Sequence, residues 1–456
     1  MKRFLKIILG ALLLLAGVVL FARILFNKPV PKGLSADEQV QVILEGSECL
    51  VCHSKDAKMP FYSNFPVIGK MMEGHVRAGN RFLDLGKELA DIDNISEAAL
   101  SKLEHSVLYG NMPPQQYRMV HWTSGLNKEE RRVLQAWISE KRGFDEPVWP
   151  IPEFVDYDKE KAALGETLFN DSSLSLDGSI SCASCHVLEI GGADHADERV
   201  SEGIYGLKGG VNSPSVYNAE FNIRQFWNGR AADLQEQAAG PLTNPVEMGD
   251  QSLEQIVERL RSDKELVAKF NQLYPGEGLT GESLCNAIAE FERTLITPGS
   301  RFDNYLKGDE SALSEVEKKG YEAFKKNACV DCHFGAALGG RSFEYVDVYG
   351  DYFADRDPSI EYNSDDEGLK GFSLKEEDLH KYKVPILRNV ALTAPYFHDG
   401  SIQNLDEAVR AMAKYELGKK LSVSEIESIV AFLHSLTGVH LYLQREVEVV
   451  EIAEEV

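Results

Sequence analysis

The sequence lacks an excess of positive charge. Its 48 Lys and Arg residues stand against 72 Asp and Glu residues, which gives a formal net charge of −24 at pH 7. This acidity argues against nucleic acid, and against an anionic membrane surface, as partners of the soluble part. A basic protein partner remains compatible with it. Strand signals are also sparse, so we expect a mainly α fold with long loops.

Cysteine is scarce, and six of the seven cysteines fall in one repeated pattern. The pattern C-x-x-C-H occurs at residues 49–53, 182–186 and 329–333. A zinc knuckle would pair each dicysteine with a second one nearby, and a thioredoxin-like redox pair needs no histidine. The pattern is instead typical of c-type haem attachment, in which two thiols bind the porphyrin and the histidine ligates the iron.

We therefore predict three covalently bound haem c groups. Their attachment residues are Cys49, Cys52, Cys182, Cys185, Cys329 and Cys332. The proximal iron ligands are His53, His186 and His333. The spacing between the motifs suggests one haem per domain.

One long apolar run is present, at the N-terminus. Residues 4–26 are almost wholly apolar, and about twenty helical residues span a bilayer. Lys2, Arg3 and Lys6 favour an N-terminus on the inside. We predict a single-pass anchor in the inner membrane over residues 1–27, with the catalytic domains in the periplasm, because c-type haems are installed outside the cytoplasm. A cleaved signal peptide is the alternative, but the run is long for one and no clear A-x-A site follows.

Proline-rich stretches suggest how the rest of the chain is divided. We predict three cytochrome c-like haem domains and an acidic tail, over residues 28–146, 147–300, 301–445 and 446–456. Apolar periodicity and capping residues predict helices within them. The predicted helices cover residues 36–44, 100–109, 127–141, 158–169, 252–261, 282–296, 314–325, 405–415 and 423–436.

The function depends on the second axial ligand of each haem, because a haem that only carries electrons needs one and a reactive haem needs that position open. Met112, in a Met-Pro-Pro turn, is a candidate for the first haem. Four other methionines remain as alternatives: Met59, Met71, Met72 and Met119. Periodicity alone favours Met412 as a core residue. For the middle haem no second ligand is obvious, and His195 and Tyr205 are the possible ones. An iron without a strong sixth ligand is a candidate reaction site.

Four stretches of the sequence resemble the bacterial di-haem cytochrome c peroxidases across residues 150–440. They are Gln225–Leu234, Gln237–Pro241, Asn244–Met248 and Leu387–Gly400. The added N-terminal haem domain, with Met-Pro-Pro followed by Tyr117 and His121-Trp122, resembles the tri-haem, membrane-anchored subgroup described as quinol peroxidases.

The resemblance implies a role for each matching residue. His186 would bind the peroxidatic iron, and His333 and Met412 the electron-transfer iron. Trp227 would lie between these haems, and Gln237 and Glu247 would line the peroxide pocket. Asn212, Thr393 and Pro395 match the positions of a structural Ca²⁺, a hard ion that suits oxygen ligands. Without the surrounding motifs, Trp227 would be read as core, Glu247 as a surface or cap carboxylate and Asn212 as a turn residue.

The sequence departs from the family in one loop. Many members carry a histidine there that blocks the peroxidatic iron until the other haem is reduced. Residues 200–210 contain no histidine, and His195 comes several residues too early. We therefore predict a peroxidatic haem that is open at rest and needs no reductive activation.

The expected function is reduction of hydrogen peroxide to water, with electrons from membrane quinol through the N-terminal haem. One alternative is the same peroxidase supplied by a small periplasmic cytochrome c. A second is a non-enzymatic multihaem relay. A third is a related di-haem enzyme that oxidises protein tryptophans, but that enzyme has Tyr where this chain has Met412.

Overall fold

The computed structural model describes residues 9–10, 12–21, 30, 32–121, 124–144, 146–194 and 199–443. The chain divides into two compact units, Met1–Pro147 and Val148–Val456. Much of the predicted anchor and all of the predicted acidic tail lie outside the described residues. Within the described part, no helix is long and apolar enough to cross a membrane.

The first unit is helical and surrounds one hydrophobic cluster that includes Val40, Leu134 and Trp137. Its α-helices are Ala36–Gly46, Pro66–Phe82, Leu85–Ala90, Glu97–Tyr109, Gln115–Val120 and Lys128–Arg142. Short 3₁₀ turns lie at Cys49–Val51, Phe61–Asn64 and Ile92–Asn94. Capping boxes at Ser35 and Asn127 begin the first and last of these helices, because each side chain accepts from the backbone of the first turn.

The helix Pro66–Phe82 was not predicted. Its sequence carries Gly69, Gly74 and Gly79, which weaken the local helical signal. One of these glycines is required by tertiary packing, since a Cβ at Gly79 would lie 2.4 Å from the carbonyl oxygen of Cys52. The glycine therefore lets the helix approach the first haem motif closely.

The second unit is also mainly helical. Its α-helices are Lys159–Phe169, Cys182–Cys185, Leu234–Thr243, Leu253–Leu260, Lys264–Leu273, Gly281–Thr294, Arg301–Leu306, Glu315–Lys326, Tyr352–Asp355, Lys370–Ser373, Leu405–Tyr415 and Val423–His434. Two short strands, Phe343–Tyr345 and Lys381–Lys383, pair antiparallel with Phe343 opposite Lys383. The 3₁₀ turns are Ser172–Leu174, Leu188–Ile190, Ile204–Gly206, Ala219–Phe221, Cys329–Asp331, Ser364–Glu367, Glu376–Asp378 and Val390–Leu392.

Two pairs of helices in the second unit pack in the same way. Lys159–Phe169 packs on Gly281–Thr294, and Glu315–Lys326 packs on Val423–His434. A Cβ at Gly165 or at Gly320 would lie 1.9 Å from a carbonyl oxygen of the facing helix. Each pair thus crosses at a glycine, and each contributes to its own hydrophobic cluster.

Candidate haem and peroxide sites

Each C-x-x-C-H motif folds into a short helical turn. The backbone N–H of the histidine donates to the carbonyl of the first cysteine in all three motifs. These bonds are His53 to Cys49 at 3.1 Å, His186 to Cys182 at 3.0 Å and His333 to Cys329 at 3.0 Å. The turn brings both thiols and the imidazole of each motif to one place, as haem attachment requires.

The hydrogen bonds of the three imidazoles leave Nε2 of each ring available to ligate a metal. Each Nδ1 lies at hydrogen-bond distance from a backbone carbonyl: His53 from Leu83 at 2.9 Å, His186 from Gly192 at 3.2 Å and His333 from Leu338 at 3.1 Å. Burial lowers the pKa of each ring, that of His333 to about 4, so the rings are neutral near pH 7. A neutral ring that donates from Nδ1 leaves the Nε2 lone pair for iron. The residues of all three motifs therefore fit haem.

The candidate axial methionines differ in exposure. Met112 and Met412 are each half-buried. Among the other candidates, Met72 is 2% exposed, whereas Met119 is 80% exposed. Met412 lies on the helix Leu405–Tyr415 and packs against a hydrophobic cluster, as periodicity indicated. The assignment of Met112 and Met412 as iron ligands stays a prediction.

Glu247 acts on the second haem motif through its charge. Its carboxylate adds to the raised pKa of the Cys185 thiol, about 11, after burial and Asp194. Asn244 Nδ2 donates to Glu247 Oε1 at 2.6 Å. Burial raises the pKa of Glu247 itself, while Arg230 and the Asn244 hydrogen bond oppose the rise. A carboxyl group with a raised pKa is therefore within electrostatic range of the Cys185 thiol.

The loop that follows the second motif packs on the Glu247 backbone. Ile204 N–H donates to the Glu247 carbonyl at 2.9 Å, and a Cβ at Gly203 would lie 2.1 Å from the Val246 carbonyl oxygen. Tyr205 is 70% exposed at the outer side of this turn. His195 lies outside the described residues.

Trp227 and Gln237 occupy neighbouring segments. Trp227 Nε1 donates to the carbonyl of Asn212 at 2.8 Å, and its ring packs against the same cluster as Met412. Gln237 is half-buried on the helix Leu234–Thr243. This helix lies close to the preceding loop, since a Cβ at Gly240 would lie 2.8 Å from the Phe226 ring.

The predicted calcium residues lie partly together. Asn212 is buried, and its Nδ2 donates to the Pro395 carbonyl at 2.6 Å and to the Phe397 carbonyl at 3.2 Å. Rotating the amide by half a turn would direct Oδ1 to the same place, so this pair fits a hard cation. The Thr393 hydroxyl instead donates to the Val390 carbonyl at 3.2 Å. The calcium site stays a prediction.

A buried ionic network near Asn212 was not predicted. Asp366 Oδ1 lies 2.8 Å from His398 Nε2, and Asp366 Oδ2 lies 2.7 Å from an Arg356 nitrogen. Burial opposes ionisation of Asp366, but these hydrogen bonds together lower its pKa. His398 belongs to the Leu387–Gly400 stretch, whereas Arg356 and Asp366 fall in an irregular segment without periodicity. Only the histidine could have been noticed from the sequence.

Glu292 was also missed. It lies on the helix Gly281–Thr294, and burial raises its pKa to about 8. Among the described residues its Oε2 is buried without a hydrogen-bond partner. After burial, the charge of Glu292 is the next cause of the raised pKa of the Cys182 thiol. The residues around it follow an ordinary apolar helical pattern, so the local sequence did not indicate a buried carboxyl group at this position.

Comparison with known proteins assigns the chain to a family. The di-haem cytochrome c peroxidase model matches residues 159–311, and a haem-binding domain model matches residues 22–140. The cytochrome c peroxidase Ccp of Escherichia coli strain K12 is 42% identical over 428 residues, which cover 90% of this chain and 90% of that protein. The chain belongs to the di-haem cytochrome c peroxidase family. It is therefore a haem peroxidase with haem cofactors.

Two further proteins are similar to about two thirds of the chain. The cytochrome c551 peroxidase of Nitrosomonas europaea is 41% identical over 295 residues, which cover 64% of this chain and 85% of that protein. The crystal structure of a MauG-like protein associated with microbial copper homeostasis aligns with a TM-score of 0.54 at 28% identity. It covers 64% of this chain and 93% of that chain.

Proposed function

We propose that this haem peroxidase reduces hydrogen peroxide at the site built by Cys182, Cys185 and His186. The reaction is H₂O₂ + 2e⁻ + 2H⁺ → 2H₂O. The observation that carries the proposal is the Glu247 carboxyl, whose charge acts on the Cys185 thiol and whose pKa is raised by burial. Heterolysis of an O–O bond needs a general acid–base group, and a carboxyl with a raised pKa returns a proton more readily than one that stays ionised. The bound haem supplies the redox chemistry.

Glu247 moves the proton in this scheme. It takes the proton from the peroxide oxygen that approaches the haem and returns it to the departing oxygen, so that water leaves in place of hydroxide. Asn244, which donates to Oε1, leaves Oε2 to face the substrate. Gln237, from the helix Leu234–Thr243, supplies a hydrogen-bond donor to the peroxide.

The electron path that we propose uses three haems. In the second unit, His186 would hold the peroxidatic haem, His333 and Met412 would hold the electron-transfer haem, and Trp227 would lie on the route between them. In the first unit, His53 and Met112 would hold a third haem. Support comes from the three matching Nδ1 hydrogen bonds and from the cluster shared by Trp227 and Met412.

We propose membrane quinol as the donor. Residues 4–26 would anchor the chain in the inner membrane, with both units in the periplasm. The apolar character of that segment supports this arrangement. A small cytochrome c is the alternative donor.

The donor is tested with the detergent-solubilised full-length holoprotein. We expect H₂O₂-dependent oxidation of decylubiquinol with no cytochrome added, at one quinol per peroxide. Turnover with a reduced small cytochrome c but none with quinol would move the donor to the periplasm. Inactivity with both donors would favour the non-enzymatic relay.

Calcium should stabilise the second unit through Asn212 and Pro395. At a Ca²⁺ concentration of 100 Kd, binding contributes about 2.7 kcal/mol to the free energy of unfolding. We expect a Tm several degrees higher in Ca²⁺ than in EGTA, and no such difference in Asn212→Ala. Mg²⁺ at the same concentration serves as the control, because it demands a tighter octahedral site. Equal Tm values in Ca²⁺ and EGTA would remove the ion from the account.

A further inference from the structure

We propose that Glu48, Tyr62, Tyr117 and His121 form the site at which a quinol gives up its protons and electrons. This inference rests on the proposed quinol donor and gives it a location within the first unit. The four side chains come from separate parts of that unit and form one hydrogen-bonded cluster, which we call the Glu48–His121 cluster.

The cluster is a phenol–imidazole–carboxylate chain. The Tyr62 hydroxyl is hydrogen-bonded to His121 Nε2, and His121 Nδ1 lies 2.6 Å from Glu48 Oε2. Tyr117 OH donates to the same Glu48 oxygen at 2.7 Å, and its ring stacks on His121 with centroids 4.1 Å apart. A carboxylate can only accept, so Nδ1 donates to Glu48 and Nε2 of the neutral ring accepts from Tyr62.

Both ring nitrogens of His121 are thus used within the protein. This engagement makes His121 a proton carrier in this arrangement and not an iron ligand. An imidazole can take a proton at one ring nitrogen while the N–H of the other stays hydrogen-bonded to a carboxylate, so this geometry allows proton transfer through the ring. The His121 and Glu48 side chains are 17% and 34% exposed, so a proton taken up here can leave to water.

The cluster lies against the first haem motif. Glu48 directly precedes Cys49, and its carboxylate accepts from Tyr117 and His121. Burial is the main reason that the pKa values of both phenols are raised, and the charges of Glu48 and Cys52 add to the rise. Hydrogen bonds through Glu48 and His121 therefore connect both phenols to the residue that directly precedes the first haem motif.

Exposed apolar side chains neighbour the cluster in the chain. Phe61 is 80% exposed, and its ring centroid is 5.7 Å from that of Tyr62. Phe65, at the end of the same 3₁₀ turn, is 55% exposed, and Met119, two residues before His121, is 80% exposed. Exposed aromatic and thioether groups next to a half-buried polar chain suit an apolar molecule with phenolic hydroxyls, which is the chemistry of a quinol.

The quinol loses two electrons and two protons and becomes the quinone. Each proton passes through the Tyr62 hydroxyl, which accepts it while giving its own proton to His121 Nε2, and the Glu48-paired imidazolium then releases it to water. The haem that Cys49, Cys52 and His53 would hold is the one-electron acceptor, so the two electrons would leave the quinol one at a time.

The test compares three variants of the full-length holoprotein in detergent. Glu48→Gln keeps a hydrogen-bond acceptor but cannot stabilise the imidazolium, and Tyr62→Phe removes only the relay hydroxyl. Glu45→Gln is the matched control, because Glu45 is an exposed side chain on the helix Ala36–Gly46, three residues from Glu48. We measure haem reduction by decylubiquinol in a stopped-flow instrument without peroxide, and reduction by ascorbate in parallel.

We expect quinol-driven reduction to fall by about 10²–10⁴-fold in Glu48→Gln and in Tyr62→Phe. Reduction by ascorbate, and both rates in Glu45→Gln, should remain at the wild-type values. A merely structural role would slow both reductants alike, and that result would overturn the proposal. Quinol reduction at the wild-type rate in both variants would also overturn it, while leaving the quinol donor intact.

A second measurement does not depend on haem reduction. A photoactivatable azido-quinone, mapped by peptide mass spectrometry, should label Phe61–Asn64 or Gln115–Val120, and excess decylubiquinone should prevent the labelling. Labelling confined to the second unit would contradict the site. A wild-type protein that ascorbate reduces but decylubiquinol does not would show that the quinol donor itself is wrong, and the site would fall with it.

Discussion

Glu247→Gln should lower H₂O₂ turnover by about 10²–10⁴-fold, the contribution usual for a positioned general acid–base group. The substitution keeps the shape of the side chain and its contact with Asn244, which lies 2.6 Å from Oε1 in the native protein. It removes only the ability to take and return a proton. The measurement is steady-state peroxide reduction with saturating donor, with absorption spectra of the haems recorded on the same samples.

Glu258→Gln is the matched control for this substitution. The Glu258 side chain is 76% exposed and pairs with Arg261, the C-cap residue of its helix, so its loss should leave turnover unchanged. Unaltered turnover in Glu247→Gln, with native haem spectra, would remove Glu247 from the mechanism.

The same carboxyl predicts the acid side of the pH profile. Glu247 must be ionised to take the first proton, and burial raises its pKa. Lowering the pH therefore protonates it earlier than an ordinary glutamate, and kcat/KM should fall on the acid side with an apparent pKa above that of an exposed glutamate. The descending limb should disappear in Glu247→Gln. A profile that is flat down to the ordinary range of glutamate would contradict the assignment.

Arg388→Met should lower the free energy of unfolding of the second unit by about 3–5 kcal/mol, the usual cost of breaking a buried ion pair. One Arg388 nitrogen lies 2.7 Å from Asp303 Oδ1, and both side chains are 0% exposed. Arg388 also donates to the Ala336 carbonyl at 2.9 Å and to Ser300 Oγ at 3.0 Å. The variant leaves the Asp303 charge buried without its guanidinium.

Chemical denaturation of the holoprotein measures this effect. Lys307→Met removes an exposed pair with Glu153 and should change the free energy of unfolding by less than about 1 kcal/mol. An Arg388→Met midpoint equal to that of Lys307→Met would show that the buried pair contributes little to stability.

The nine helices that the sequence predicted are all present to within a few residues, whereas other helices, among them Leu234–Thr243 and Lys264–Leu273, were not predicted. Asn127 and Glu130 form the capping box at the start of Lys128–Arg142, and Ser314 and Glu317 form that of Glu315–Lys326. Such signals lie within one turn and need no tertiary information. The helix Pro66–Phe82 escaped because its glycines are explained only by contact with the Cys52 backbone, which no local pattern contains.

The candidate sites divide in the same way. The three haem motifs are local, so their cysteines and histidines could be assigned directly from the sequence. Glu247 came from resemblance, but its pKa depends on burial and on Arg230, 17 positions earlier in the chain. Tyr117 and Glu48 are separated by 69 residues, so their hydrogen bond could be found only in the folded structure.

The central claim is that the site at His186 reduces peroxide and is open at rest. The most direct measurement is H₂O₂ consumption by the holoprotein as isolated, followed from the first turnover with no reducing pretreatment. We predict full activity without a lag, because residues 200–210 offer no histidine to block the iron. An as-isolated protein with only six-coordinate low-spin haem, and peroxide consumption only after pre-reduction, would contradict the account.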